Sequence, residues 1–265
     1  MKSTITIIGL GRVGKLLYKT LQKAGYDQIS IITGEDEIVF LNDYIIIAVP
    51  DDNIQCVIDE IQQSGLNIKG KTFVHTSGVV GLDVFTRLRQ NKIKVGCFHP
   101  LMAVTDSSES FQGITFDICG DKTFVKDIEP IVEDLDAHLI VVDEYQKAKL
   151  HLAAVITSNY LVTLMGMSHE LFVESDLNQD QLHRALIPLM QSALNNLEMQ
   201  APPEALTGPI ARGDVETITR HLSLLKDKPE LKSAYQKLGS ETLRLFSARI
   251  TDDVMSELNK LFHEA

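Results

Sequence analysis

The 265-residue sequence contains little cysteine and little positive charge. Its three cysteines, Cys56, Cys97 and Cys119, are widely separated and form neither a disulfide framework nor a metal-binding spacing, which suggests a reducing compartment. With 25 Lys and Arg against 36 Asp and Glu, the net charge is −11, and no basic stripe is present. The composition therefore argues against a partner nucleic acid and against binding to anionic membranes.

The sequence also lacks an uninterrupted membrane-length apolar run and a targeting signal. Residues 150–167 are apolar and long enough to raise the question of a membrane span, but His151, Ser158 and Asn159 interrupt them, so we expect a buried helix. The chain begins directly with a strand pattern and without signal-peptide architecture, so we expect a cytoplasmic protein. No paired carboxylates, Ser/His/Asp order or metal-ligand spacing is evident, and no metal site is predicted.

A glycine-rich turn stands near the start of the chain. The stretch STITIIGLGRVG (3–14) is a β-rich run followed by glycines in GxGxxG spacing, and an amphipathic helix pattern follows it. This context favours dinucleotide binding, because the glycines let a pyrophosphate approach backbone N–H groups at the helix N-terminus. An ordinary glycine turn is the alternative. The predicted cofactor-binding residues are Gly9, Leu10, Gly11, Arg12, Val13 and Gly14.

Strand and helix patterns alternate up to residue 143. Strands are predicted at 29–33, 44–50, 71–76, 93–98, 114–119 and 138–143. Helical stretches are predicted at 53–63, 83–90 and 123–135. Parallel strands need such crossover helices, so the sequence predicts an α/β fold with a doubly wound Rossmann-type sheet over residues 1–143.

The segment after the second strand is unusually short. Only ten residues separate Thr33 from Tyr44, too few for the usual helix, strand and helix, so we expect a sheet edge cut back there and one helical turn at Asp36–Leu41. Thr33 would lie at the adenosine end of the cofactor site. The acidic Glu35 and Asp36 favour NAD, unless they are merely solvated, whereas Arg12 is the one nearby feature that could support NADP.

Only helical patterns follow residue 143. They lie at 144–171, 179–199, 214–226, 230–248 and 251–263, which predicts a second, all-α domain over residues 144–265. The long first helix needs a further surface, supplied by its own domain, by the nucleotide domain or by a second copy in a dimer. Arg212, in a loop rich in Pro and Gly, is a candidate for binding an anionic substrate, although a solvated surface arginine is the alternative.

Several motifs together resemble a known family. They are GLGRVG (9–14), AVPDD (48–52), HTSG (75–78), FHPLM (98–102), FQGITFDICGD (111–121), KAKLHLAAVITSNYLVTL (147–164) and LTGPIARGD (206–214). The sequence resembles a bacterial family described as NADP oxidoreductases, with a Rossmann-like domain and a helical domain of unknown function. That family is similar to pyrroline-5-carboxylate reductases, prephenate dehydrogenases and deazaflavin-dependent NADP oxidoreductases, and its helical domain resembles the dimerisation domain of 6-phosphogluconate dehydrogenase. The resemblance implies a homodimer and a nicotinamide cofactor, NADP by the family's description.

Polar residues are predicted where strands end at the expected ligand cleft. Val49 and Pro50 are expected to bind cofactor there, as is Ser77. His75 and His99 are candidates for catalysis near the nicotinamide. The alternatives are that HTSG is a turn satisfying backbone groups and that His99 is a structural hydrogen-bonding residue.

Three polar residues share one face of the predicted long helix. Lys147, His151 and Ser158 fall within about 40° of one another at 100° per residue. An imidazole titrates near neutral pH, so we interpret His151 as the acid/base, Lys147 as an electrostatic anchor and Ser158 as a third member deeper along the face. The alternative is a core histidine beside a lysine whose charged end reaches the surface.

Two hypotheses for function remain open. One is an NAD(P)-dependent oxidoreductase that reduces a C=O or C=N group of a small, anionic metabolite, with NADP or NAD as cofactor. The other is a non-catalytic nucleotide-binding sensor or regulatory dimer. Turnover of small oxo acids or cyclic imines would separate them, because only the oxidoreductase converts a substrate. The sequence does not name that substrate, since specificity depends on the shape of the pocket.

Overall fold

The structure, a computed structural model, describes residues 2–34, 36–89, 93–246 and 250–263. Contacts divide the chain into two compact units, Met1–Leu161 and Val162–Ala265. The first unit is built on a sheet and the second is helical, which confirms the predicted fold class. This division falls inside the long helical segment, whereas the sequence suggested a domain boundary at residue 143.

The first unit contains a seven-stranded sheet with the strand order β2-β1-β3-β4-β5-β6-β7. The strands are β1 (Ile5–Ile8), β2 (Ile29–Ile32), β3 (Tyr44–Ile47), β4 (Thr72–His75), β5 (Lys94–Pro100), β6 (Thr115–Gly120) and β7 (His138–Val141). The helices between them are α1 (Arg12–Lys23), α2 (Asp51–Gln63) and α3 (Lys122–Asp134), with a 3-10 helix at Leu82–Phe85.

Apolar cores lie on both faces of this sheet. One contains α1 and α3 residues such as Leu17 and Ile128, and the other contains α2 and 3-10 helix residues such as Ile58 and Phe85. The strands β1 and β4 are buried along their whole length because both faces of the sheet are covered. The sheet thus brings the carboxyl ends of β1, β3 and β4 to the same edge, where their loops form the candidate site.

One strand pair departs from the expected parallel arrangement. β5 and β6 pair antiparallel, whereas the other neighbouring pairs are parallel. The described connection between them, residues 101–114, contains no helix, so the chain returns directly instead of crossing over. The predicted helix at 83–90 is also shorter than expected, since turns follow Phe85; Gln90 lies outside the described residues.

The shortened sheet edge is confirmed, but its local structure differs from the prediction. The described residues between β2 and β3 form neither helix nor strand, so the helical turn expected at Asp36–Leu41 is wrong. Ile38 and Leu41 are buried, and Asn42 donates its side-chain amide to the Ile5 carbonyl at 2.7 Å. These anchors hold the segment against the sheet in a non-helical path. Glu35 lies outside the described residues.

A long helical segment follows β7. It consists of α4 (Glu144–Ala154), a π-helical turn (Val155–Asn159) and α5 (Tyr160–Glu170). Asp143 and Gln146 form a capping box that fixes its start. By length and composition alone, Glu144–Glu170 could cross a membrane, and its most apolar window is not buried; one such helix is weak evidence.

The second unit contains the remaining helices. They are α6 (Gln179–Met199), α7 (Pro202–Ala205), α8 (Pro209–Arg212), α9 (Val215–Leu224), α10 (Pro229–Phe246) and α11 (Asp252–His263). The end of the predicted 230–248 helix lies outside the described residues. A small core forms around Ile218, Leu243, Leu258 and Phe262.

Candidate active site

The glycine turn has the geometry that its spacing predicts. Gly9 adopts φ 100°, and a side chain there would lie 2.6 Å from the Ala48 carbonyl oxygen. A Cβ on Gly14 would lie 2.0 Å from the Gly9 carbonyl oxygen, so both positions require glycine. Gly11 is different, because a Cβ there would meet nothing closer than 4.0 Å. The turn therefore leaves open space in front of the first N–H groups of α1.

A cleft of about 490 Å³ extends from this turn across the carboxyl ends of the strands. It brings together predicted residues of the glycine turn, of the loops after β3 and β4, and of the carboxyl end of β5. Its lining residues are Gly11, Arg12, Val13, Ala48, Val49, Pro50, Asp51, Thr76, Ser77, Gly78, His99, Pro100, Met102 and Val104. An open helix N-terminus beside a glycine-rich turn fits a pyrophosphate, so these residues fit a dinucleotide.

The Ser77 turn supports both interpretations of HTSG. The Ser77 hydroxyl accepts hydrogen bonds from the backbone N–H groups of Val79 at 3.1 Å and Val80 at 3.0 Å, as the turn interpretation predicts. Ser77 also lines the cleft. The serine thus shapes the cleft through its turn.

His99 is held by an aspartate that the sequence analysis did not identify. Its Nδ1 lies 2.6 Å from Oδ2 of Asp117, which is fully buried. The two residues are register partners on the antiparallel strands β5 and β6. The sequence offered one sign of this pair, the single acidic residue in the apolar strand TFDICG. A carboxylate buried in such a strand needs a hydrogen-bonding or charged partner.

Lys147 and His151, both on α4, lie beside the pair of His99 and Asp117, and these four residues form the cluster around His99. Lys147 is 2% exposed, which rules out a surface position for its charge, and its Nζ donates to the Ser77 carbonyl at 2.7 Å. The His151 ring lies with its centroid 5.8 Å from that of His99. Burial, followed by electrostatic interaction with the neighbouring His99 and Lys147, lowers the pKa of His151. Its Nδ1 is buried without a hydrogen-bond partner among the described residues.

Gly78 makes room for both imidazoles. A Cβ at this position would lie 2.4 Å from Nδ1 of His151 and 2.9 Å from Nε2 of His99. The absence of a side chain therefore lets the two rings approach the same point on the β4 loop. The sequence analysis included Gly78 in the motif HTSG but did not predict that it makes room for the two rings.

His75 does not join the cluster. Its ring is fully buried and stacks on Phe85 with centroids 5.6 Å apart. Burial, assisted by the charge of Lys147, lowers the pKa of His75 to about 4, although the Gly81 backbone offsets part of this shift. Neither ring nitrogen has a hydrogen bond of normal geometry within the described chain. His75 is thus a neutral interior residue in this structure, and it lines neither cavity at the site.

A second cavity of about 420 Å³ begins at His99 and runs along α4 and the π-helical turn. His151 and Ser158 both line it, so two of the three residues of the polar face predicted for this helix border one cavity, whereas the buried Lys147 does not. Its other lining residues are Pro100, Leu101, Met102, Ala103, Leu150, Ala153, Ala154, Val155, Thr157 and Asn159. π-helical turns are frequent at functional sites, and this one supplies the hydroxyl and amide groups of the cavity.

The remaining predicted residues lie elsewhere. Leu10 is part of the glycine turn, and Thr33 lies at the end of β2, where its N–H and hydroxyl donate to Asp36. Arg212 belongs to the second unit, where it is largely exposed and lies 3.9 Å from Asp214. Among the described residues, no group of three or more His, Cys, Asp or Glu side chains could hold a metal ion.

Comparison with protein families gives one match. Residues 114–242 match the family model DUF2520, a domain of unknown function. No curated protein sequence matches the chain at a significant level.

Solved structures share the fold of the whole chain. A Bacteroides fragilis protein provisionally named as an NADP oxidoreductase is 23% identical, with a TM-score of 0.74, covering 89% of this chain and 96% of its own. The imine reductase from Myxococcus stipitatus, solved with NADP+, is 15% identical with a TM-score of 0.64, covering 96% and 99%. The reductive aminase from Aspergillus terreus, solved with NADPH and ethyl levulinate, is 14% identical with a TM-score of 0.65, covering 98% and 99%. At these identities the likeness shows a common fold.

The DUF2520 match begins just before β6 and therefore divides the site. Asp117, Lys147, His151 and Ser158 lie inside the matched range, whereas the glycine turn and His99 precede it. The matched range thus contains the site residues of α4 and the π-helical turn, whereas the glycine turn and the ends of β3, β4 and β5 that line the cleft precede it.

Proposed function

We propose that this protein is an NAD(P)-dependent oxidoreductase that reduces a C=O or C=N group of a small molecule or runs the reverse reaction. The observation that carries the proposal is that His99 lines both cavities. A cofactor in the cleft and a substrate in the second cavity would meet at this residue. The imine reductases and reductive aminases that share the fold bind NADP or NADPH, which supports the same arrangement here.

The glycine turn and the N-terminus of α1 would hold the pyrophosphate, while Val49, Pro50 and the Ser77 turn would line the nicotinamide end. When bound, the nicotinamide supplies the hydride chemistry. The chain must then orient the reacting groups and move one proton to or from the substrate oxygen or nitrogen. These tasks fall to the cluster around His99.

We assign the proton transfer to His151, with His99 beside it. Asp117 fixes Nδ1 of His99 and so sets the orientation of that ring. Lys147 is too deeply buried to contact a substrate; it acts through its charge on His151 and through its bond to the Ser77 carbonyl. Ser158 would contact the substrate farther along the cavity.

The part of the substrate in the second cavity is uncharged in this proposal. No lysine or arginine occurs among the lining residues, and their polar groups besides the histidines are hydroxyls and an amide. Such groups bind a carbonyl or an amine, but they do not neutralise a carboxylate. The anionic substrate expected from the sequence depends on Arg212 alone, so that expectation remains a prediction.

We further propose a cytoplasmic homodimer. The helix α6 buries Leu182 but exposes most of its other apolar residues, including Leu189 and Met199. A second copy covering these residues would remove them from water. The same cover would account for the apolar helix Glu144–Glu170 without a membrane.

The experiment that tests the proposal is a fluorescence titration with NADH and NADPH on wild type and Gly11→Val. A valine has room in the fold but would fill the space proposed for the pyrophosphate, so affinity should fall tenfold or more. Equal thermal unfolding of the two proteins is the control. Unchanged affinity would remove the cofactor from this turn.

Activity is tested separately by a screen of small ketones and cyclic imines, each with and without a carboxylate. Turnover should be higher for the uncharged member of each pair. Cofactor binding without turnover of any pair would favour the nucleotide-binding sensor instead.

A further inference from the structure

The outer edge of β2 carries main-chain groups that no strand pairs with. Among the described strands, β2 is the last on its side of the sheet and pairs with β1 alone. Backbone N–H groups of β1 and the glycine turn donate to the carbonyls of Gln28 and Ile32. Because alternate residues of a strand face the same neighbour, the main chains of Ile29 and Ile31 face away from β1. The described residues supply no hydrogen-bond partner for these outward N–H and C=O groups.

The shortened connection between β2 and β3 leaves this edge open. In the usual doubly wound fold, a further strand lies outside the second one. Here the described part of the connection forms neither helix nor strand. It crosses one face of the sheet instead, where Ile38 and Leu41 are buried and the Asn42 side-chain amide donates to the Ser30 hydroxyl at 3.2 Å. The connection therefore covers a face of β2 but not the outer hydrogen-bonding groups of that strand.

The same connection presents apolar side chains and carboxylates to solvent. Val39 is 72% exposed and Phe40 is 58% exposed. A groove of about 500 Å³ separates the connection from the end of α2, and Glu37 and Glu60 line it without any lysine or arginine. Residues 33–43 contain four acidic side chains and no basic one. The surface thus combines an open strand edge, two apolar side chains and a negative groove.

The charges around β2 disfavour a second copy of this chain and favour a basic occupant. Asp27 precedes the strand and Asp36 follows it. Two copies pairing antiparallel through this edge would bring Asp27 of one copy near Asp36 of the other, and opposed like charges are destabilising. Lys71 does contact the connection, but its Nζ donates to the carbonyls of Leu41 and Asn42. The groove carboxylates are therefore left for a partner that brings positive charge.

We propose that the outer edge of β2 binds an extended, basic segment of another protein, which pairs with β2 as an additional strand. An unpaired edge is a template for such pairing, and main-chain bonds to Ile29 and Ile31 would hold the segment. Its apolar side chains would pack on Val39 and Phe40, and its lysines or arginines would face the groove. This surface lies outside both cavities of the candidate active site, so the proposal does not depend on the proposed function.

The test is a fluorescence anisotropy titration of a labelled six-residue peptide of alternating lysine and valine with the full chain. Wild type should bind this peptide about tenfold or more tightly than a counterpart in which glutamate replaces lysine, because the groove is acidic. The net charge of −11 would attract any basic peptide, so variants of the edge must show where the peptide binds.

Ile31→Pro removes one outward N–H and no bond to β1, which an edge strand tolerates. It should weaken binding of the basic peptide about tenfold or more, whereas Ile31→Val keeps the N–H and should bind as wild type does. Glu37→Gln combined with Glu60→Gln should weaken binding by about the same factor. Its matched control is Glu129→Gln combined with Glu133→Gln, which removes two exposed charges from α3 on the other face of the sheet. Thermal unfolding checks that each variant folds, and the Glu37 and Glu60 pair decides alone where Ile31→Pro does not.

The outcomes that would overturn the proposal are equal binding of the two peptides by wild type, and unchanged affinity in the folded edge variants. A lower mass of Ile31→Pro than of wild type in light scattering would overturn it too, because a second copy would then occupy the edge. Failure of any of these measurements leaves cofactor binding untouched, and loss of cofactor binding leaves this proposal standing.

Discussion

Asp117 determines how one imidazole of the cluster is oriented. It is the register partner of His99 across β5 and β6, and its buried carboxylate lies 2.6 Å from Nδ1 of that ring. A carboxylate beside one ring nitrogen fixes which nitrogen remains available, as in other Asp–His pairs. His151 has no such partner, so the two neighbouring histidines are not equivalent.

The proposed role of His151 is tested by His151→Gln. Once a substrate is known, kcat should fall by about 10²-fold or more, because the variant cannot exchange a proton, while cofactor affinity remains unchanged. Since the pKa of His151 is lowered, its protonated fraction grows only as the pH falls below 6.5. Reductive kcat of wild type should therefore rise at acid pH, and that rise should vanish in the variant.

The control for that substitution is His138→Gln, which changes an exposed histidine on β7. It should leave kcat and its pH profile as in wild type. Near-normal turnover of His151→Gln would show that the residue serves packing.

His75 makes stability depend on pH. Its pKa is about 4 in the folded protein against 6.5 for an ordinary histidine, so the unfolded chain binds its proton first. The stabilisation is complete above pH 6.5 and is lost as the pH falls toward 4; it amounts to about 3 kcal/mol in all and about 2 kcal/mol between pH 7 and pH 5. Between pH 7 and pH 5, the free energy of unfolding measured in urea should fall more steeply for wild type than for His75→Phe. Parallel plots of this free energy against pH for the two proteins would contradict the prediction.

Among the elements, the helix α4 carries two residues of the proposed catalytic cluster, and their positions depend on its N-terminal cap. Its capping box at Asp143 and Gln146 fixes where the helix begins, and this start places Lys147 one turn in and His151 two turns in. A frayed first turn would release the bond from Lys147 to the Ser77 carbonyl. The position of the cluster therefore depends on a cap outside it.

Asp143→Ala tests this dependence. Loss of the cap should lower the free energy of unfolding by about 1 kcal/mol and should also reduce kcat, because Lys147 and His151 lose their fixed start. Asp121→Ala is the matched control, since Asp121 caps α3 through the N–H groups of Thr123 and Phe124, and α3 carries no residue of the cluster. It should lower stability similarly without changing kcat. Equal effects of the two variants on kcat would refute the link.

The elements also show what the sequence could predict. The glycine turn and the cut edge followed from local spacing, because each depends on a few consecutive residues. The antiparallel return of β6 and the pairing of His99 with Asp117 did not, because they depend on which strands become neighbours. The prediction of a helical turn at Asp36–Leu41 failed for a related reason. The segment is held in a non-helical path by the bond from Asn42 to the Ile5 carbonyl, which joins residues far apart in the chain.

At the scale of the whole molecule, exposed apolar side chains are concentrated on the helices after β7. Val162 is 74% exposed, Leu189 65% and Met199 82%. Burial of one such side chain contributes about 1.5–3 kcal/mol, so a shared face of several would hold a dimer together. Because α6 exposes apolar residues along most of its length, we expect the second unit to supply the main contact of the dimer.

Light scattering tests the assembly. Wild type at micromolar concentration should give twice the chain mass of 29.5 kDa, and Val162→Glu combined with Leu189→Glu should give the monomer mass, because two charges would be buried in the contact. Val39→Glu is the control, since Val39 is also exposed, at 72%, but belongs to the cut sheet edge; this variant should remain dimeric. A monomeric wild type would contradict the proposal. Recovery of the protein in the membrane pellet after cell lysis would contradict it too, because the long helix would then be covered by lipid instead of by a second copy.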